Sequence, residues 1–142
     1  MHELNLVLIV LHFVGLAMGL SAPLANFVMT GMMSSAPPDE LAVLARFSPR
    51  MSRVGDVGLV LLWITGVTLA FTRWGGFANL PWQFAVKFAA VVALTGTVGY
   101  IHALMGRARR GDQAAAARIP SAGRLAFVFA LLAVIFAVLT FN

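Results

Sequence analysis

The chain has 142 residues, 61% of them hydrophobic and 11% charged, with a formal net charge of +5. A soluble domain carries about 25% charged residues, so at a mean hydropathy of +0.92 the main solvent is lipid. The absence of cysteine excludes disulfides, thiolate metal sites and iron–sulfur clusters.

The length allows one domain, residues 1–142. Four stretches approach the ~20 apolar residues that cross a bilayer: 4–29, 56–72 extended at either end, 82–105 and 125–141. The expected fold class is all-α, an integral membrane four-helix bundle. The first stretch is expected to be a retained span, because MHELN lacks a basic leader and the apolar run exceeds that of a signal peptide. In the connection 30–55, Pro37-Pro38 stops one helix and Asp39 and Glu40 favour the start of another. LAVLARF predicts a short amphipathic helix on the membrane surface, ended by Ser48-Pro49. The segment 73–81 reads as a Gly- and aromatic-rich turn, and 106–124 as a polar connection, helical over 113–118.

Nine of the ten basic residues are arginines, and they flank the spans. Arg46, Arg50, Arg53, Arg107, Arg109, Arg110, Arg118 and Arg124 lie on one side; Arg73 and Lys87 lie on the other. Positive charge is retained in the cytoplasm. The expected location is a bacterial-type inner membrane, with both termini outward and the basic connections cytoplasmic. No nucleic-acid-binding motif accompanies the arginines, so the bilayer is the expected partner and nucleic acid is not.

Helical spacing sorts the polar residues. In the first span, Asn5, His12, Gly15, Gly19, Ala22 and Asn26 share one arc, and Gly15-x-x-x-Gly19 permits close approach of a neighbour. His12 is either a satisfied buried histidine or a ligand and proton carrier. In the second, Asp56, Leu59, Trp63, Gly66 and Ala70 share a face. Asp56 reads most simply as an interfacial ion pair with Arg53. Trp63 sits mid-membrane, where its N–H needs a partner and its ring either packs or stacks on a flat ligand. In the third, Lys87, Val91, Thr95, Val98 and His102 form a stripe. The fourth offers only the small stripe Ala126, Ala130, Ala133, Ala137.

Lys87 and His102 are fifteen residues apart, roughly 22 Å along a helix. Two polar levels follow: His12 and Lys87, with Trp82 nearby, and Asn26, Asp56 and His102, with Arg53 nearby. A haem shared by His12 and His102 is disfavoured by depth. A haem on one histidine remains open, with Met18, Met29, Met32, Met33 or Met105 as second ligand.

Three fragments carry a family resemblance: LHFVGLAMG around His12, RMSRVGDVGLVLLWITGVTLA across the second span, and PWQFAVK around Lys87. In four-span layout and in these fragments the chain resembles the HemJ-type protoporphyrinogen oxidases and the wider CopD-like four-helix membrane proteins. The region matching that family's Leu-Pro-Arg motif reads SAPLANFVM and holds no arginine. The resemblance implies haem b as cofactor, with His12 (as metal ligand) and Lys87 (as catalytic residue) as the functional pair; Trp63, able to stack on a flat ligand, and His102, the other histidine, are further candidate cofactor-binding positions from the residues themselves. A haem- or porphyrin-linked redox membrane protein is the expected function. A non-catalytic subunit, held in a homo-oligomer or a membrane complex, and a small transporter are the alternatives.

Overall fold

The computed structural model describes residues 2–141, and side chains of residues 3–140. Four long helices follow one another: α1 (His2–Met33), α2 (Pro38–Trp74), α3 (Trp82–Ala108) and α4 (Gln113–Phe141). A single 3-10 turn, Phe77–Asn79, joins α2 to α3. Each helix is long and apolar enough to span a bilayer. The protein is an all-α four-helix bundle of the multi-pass membrane type.

Two boundaries differ from the sequence expectation. Ser48-Pro49 does not end a surface helix; α2 runs through Pro49 for 37 residues. Likewise α4 begins at Gln113 and runs through Pro120. A proline inside a helix removes one backbone bond, and neighbouring helices can compensate for it. At the first site Ser48 donates to Asn26 Oδ1 on α1 at 3.1 Å, holding α2 in place beside the break.

Backbone contact decides the packing order. α1 lies along α2, α3 lies along α4, and α1 meets α4, whereas α2 and α3 scarcely approach. The α1–α2 crossing is made by glycines. A Cβ on Gly58 would stand 2.5 Å from Gly19 N and 2.7 Å from Gly15 O, and one on Gly55 would stand 2.6 Å from Ala22 Cβ. The α3–α4 crossing uses alanines: Ala115, Ala122, Ala126, Ala130 and Ala133 are all buried. Leu59, Leu94, Ala126 and Ala130 form the central core, with Leu20 of α1 against it.

The turns are capped by identifiable groups. After α2, Gly75 takes the left-handed conformation (φ 70°), its N–H bonds Phe71 O at 3.2 Å, and Asn79 Nδ2 donates to Trp74 O. Before α4, Asp112 Oδ1 accepts from Ala115 N–H at 2.9 Å while Arg107 bonds Oδ2 at 2.6 Å. These two partners hold the Asp112 carboxyl below its ordinary range.

The glycine crossing predicts that Gly58→Ala lowers the thermal midpoint in detergent, at a cost of about 1–3 kcal/mol from overpacking. Gly99→Ala, with nothing within 4 Å of the new Cβ, leaves the midpoint unchanged or slightly raised. The lowered Asp112 pKa makes the cap pH-dependent. Its contribution is present above the ordinary carboxylate pKa of about 4 and is lost as pH falls through the lowered value. Hydrogen exchange at the Ala114–Ala116 amides should accelerate on acidification beyond the intrinsic trend, and Asp112→Ala should remove that excess.

Candidate functional site

Because α2 and α3 stand apart, the bundle leaves a partly open cavity of about 880 Å³ that runs from Lys87 and Arg73 at one end to Asn26 and His102 at the other. This volume falls within the ~300–1,000 Å³ of small-molecule sites. Most of the helical stripes read from the sequence line it: His12, Gly19, Ala22 and Asn26 of α1, without Asn5 and Gly15; Asp56, Leu59, Trp63, Gly66 and Ala70 of α2; Lys87, Val91, Val98 and His102 of α3, without Thr95. The small stripe Ala126, Ala130, Ala133, Ala137 of α4 forms the remaining wall.

His12 is half-buried and held from one side. Its Nδ1 lies 2.8 Å from Thr65 Oγ1. The single Thr65 hydroxyl proton is directed to Leu61 O at 2.6 Å, so Thr65 accepts and His12 Nδ1–H donates. That tautomer leaves Nε2 with a lone pair, the arrangement usual for a metal-ligating histidine, on a ring that lines the cavity. Room for the ring comes from Gly66, whose absent Cβ would stand 3.3 Å from His12 Cε1. Thr65 is 1% exposed. Sequence reading did not single it out, because a mid-span threonine that bonds its own helix gives no sign of a second partner.

Lys87 and Arg73 line the same end. The Lys87 Nζ lies 5.8 Å from the Phe84 ring centroid. Arg73 continues the α2 stripe, three residues after Ala70, and that spacing was the signal for it. Trp82 does not join this level. It is 68% exposed and meets Phe136 edge-on; Trp74 lines the cavity in its place.

Trp63 bridges the seam between α2 and α3. Its Nε1 donates to Thr95 Oγ1 at 3.0 Å, and its ring meets Phe88 edge-on at 5.5 Å. Phe77, Phe84 and Phe88 continue an aromatic wall towards the turn.

The second level has a different pairing from the one expected. Asp56 bonds His102 Nε2 at 3.0 Å, with Asp56 Oδ1 as the acceptor, rather than forming a pair with Arg53. This is the second link across the seam. Asp56 and Thr65 are nine residues apart on α2, roughly 14 Å, so His12 and His102 occupy separate levels and cannot share one small ligand. None of Met18, Met29, Met32, Met33 and Met105 lines the cavity. Among the described residues there is no cluster of three His, Cys, Asp or Glu side chains for a metal.

At the Lys87 end the His12 ring and the two cations Lys87 and Arg73 line a largely apolar stretch of the cavity, and His102 lies at the other end. No family model, curated protein or solved structure matches the chain.

Thr65 predicts a tautomer effect. Thr65→Val removes the acceptor of His12 Nδ1–H. Nitrogen NMR of histidine-labelled protein should then show His12 shifting from one Nδ1–H form to a mixture. Gly66→Ala, which crowds the ring without touching Thr65, should broaden the same signals while keeping the tautomer.

Proposed function

We propose that the protein is a haem- or porphyrin-linked redox protein of the cytoplasmic membrane. The observation that carries this reading is His12. It is the imidazole whose Nδ1 is tied to Thr65 and whose ring lines a largely apolar cavity of about 880 Å³. Histidine is the common axial ligand of b-type haem. Haem b, when bound, would supply a one-electron redox couple; the chain's own residues do the rest.

Thr65 orients the imidazole. Lys87 and Arg73 bind the carboxylates of the macrocycle, and Lys87 is also the group placed to carry a proton at this end. Trp63, Phe84 and Phe88 keep water from the ring and offer it aromatic contact. The resemblance of the His12, Trp63 and Lys87 segments to the HemJ-type and CopD-like proteins supports the same assignment. The eight arginines at the other end of the bundle support an orientation with that end in the cytoplasm and both termini outside.

Protein purified from cells supplied with haem should show a Soret band that shifts on reduction with dithionite. His12→Ala should lose most of that absorbance, and Lys87→Met should weaken haem binding about tenfold, the loss of one charge-assisted bond. A colourless wild-type protein, still folded by circular dichroism, would defeat the assignment.

A further inference from the structure

α2 runs through Pro49 as one helix, and that continuity aligns residues a break would have separated. Arg46, Arg50, Arg53, Val57, Val60 and Ile64 follow one another at spacings of four and three residues in turn. Arg46 and Ile64 are thus about five full turns apart, and the six side chains form one straight column. All six are exposed, the three apolar ones by more than half. None of them lines the cavity, so the column belongs to the outer surface of the bundle.

The column spans the edge of the hydrocarbon layer. Arg53 and Arg73 bracket a stretch of α2 about 30 Å long, the thickness of a bilayer's hydrocarbon core. With Arg73 at one boundary, Arg53 stands at the other. Arg50 and Arg46 follow about 5 and 10 Å further from the centre, in the head-group layer. Val57, Val60 and Ile64 lie on the hydrocarbon side of Arg53.

The three cations call for an anion. Like charges three and four residues apart on a helix repel one another. Asp56, the acid nearest to Arg53 along the chain, is bonded to His102, and Asp112 is bonded to Arg107. No carboxylate among the described residues pairs with Arg46, Arg50 or Arg53.

We propose that this column is a binding site for an anionic phospholipid, with the phosphate on the arginines and an acyl chain along Val57, Val60 and Ile64. A guanidinium holds a phosphate through two parallel N–H donors, and basic clusters at the end of a membrane helix attract anionic head groups. A zwitterionic lipid brings its own ammonium and offers the column no net charge. A soluble phosphate or a nucleic acid would meet the arginines and leave the apolar half of the column unused. The site lies on the lipid face of α2, away from His12, and does not depend on the porphyrin reading.

The test is native mass spectrometry of the full chain in detergent, titrated with dioleoyl-phosphatidylglycerol or dioleoyl-phosphatidylcholine. The two lipids share their chains and differ in head-group charge. Tighter binding of phosphatidylglycerol is expected. Arg46→Gln, Arg50→Gln and Arg53→Gln should each weaken it about fivefold, the worth of one basic residue near the membrane surface. The triple variant should bind the two lipids alike, while Arg53→Lys should keep most of the preference, and this separates lost charge from a damaged fold. Equal affinity of the wild type for both lipids overturns the site. So does a preference that survives the triple variant but is lost in Arg118→Gln/Arg124→Gln on α4. Glycerol phosphate binding as tightly as the lipid also overturns it, because the chain would then contribute nothing. A missing Soret band with an intact lipid preference removes the porphyrin reading alone; a normal Soret band without the preference removes this site alone.

Discussion

The architecture depends on one contact: the backbone crossing of α1 and α2 at Gly15, Gly19, Gly55 and Gly58. With a Cβ on Gly58 only 2.5 Å from the Gly19 nitrogen, no side chain fits between the two helices there. Lipid gives no hydrophobic drive to bring helices together, so association relies on packing, and small residues allow the closest approach. The crossing presses α1 onto α2 and so fixes where His12 must go. Two turns along α2, Thr65 and Gly66 receive it, one as acceptor and the other as space.

The same logic explains the cavity. α3 and α4 are pressed together by alanines, as α1 and α2 are by glycines. Two tight pairs joined mainly through α1 and α4 leave the fourth side of the ring, between α2 and α3, without backbone contact. That side is spanned by the Trp63–Thr95 hydrogen bond, the Asp56–His102 pair and the Phe88 edge contact. Side chains that bond across the seam therefore also wall a ligand-sized space on that side, together with Phe88. Their removal would be expected to loosen the cavity before the helix pairs.

Hydroxyls of α2 fix two side chains of α1: Thr65 holds His12 and Ser48 holds Asn26. From α3, Lys87 lines one end of the cavity and His102 the other. The levels differ in charge balance. Asp56 accompanies His102, whereas Arg73 adds a second cation beside Lys87.

Much of this was legible in the residues. Apolar length determined four spans, because an unpaired backbone in lipid leaves the helix as the available choice. The 3.6-residue period determined which faces turn inward: most residues of the stripes through His12, Trp63, Lys87 and Ala126 line the cavity, Asn5, Gly15 and Thr95 excepted. Depth along the helix separated His12 from His102. What only the tertiary structure decided was partnership. Asp56 had Arg53 one turn away and bonds His102 instead, 46 positions along the chain. Pro49 carries a local stop signal and is overridden by the contact of Ser48 with α1. The tautomer of His12 depends on a threonine 53 residues distant. Periodicity is a property of one helix, but a hydrogen bond across a cavity depends on the register and spacing of two, and those were set by glycines and alanines whose closeness only the packed bundle reveals.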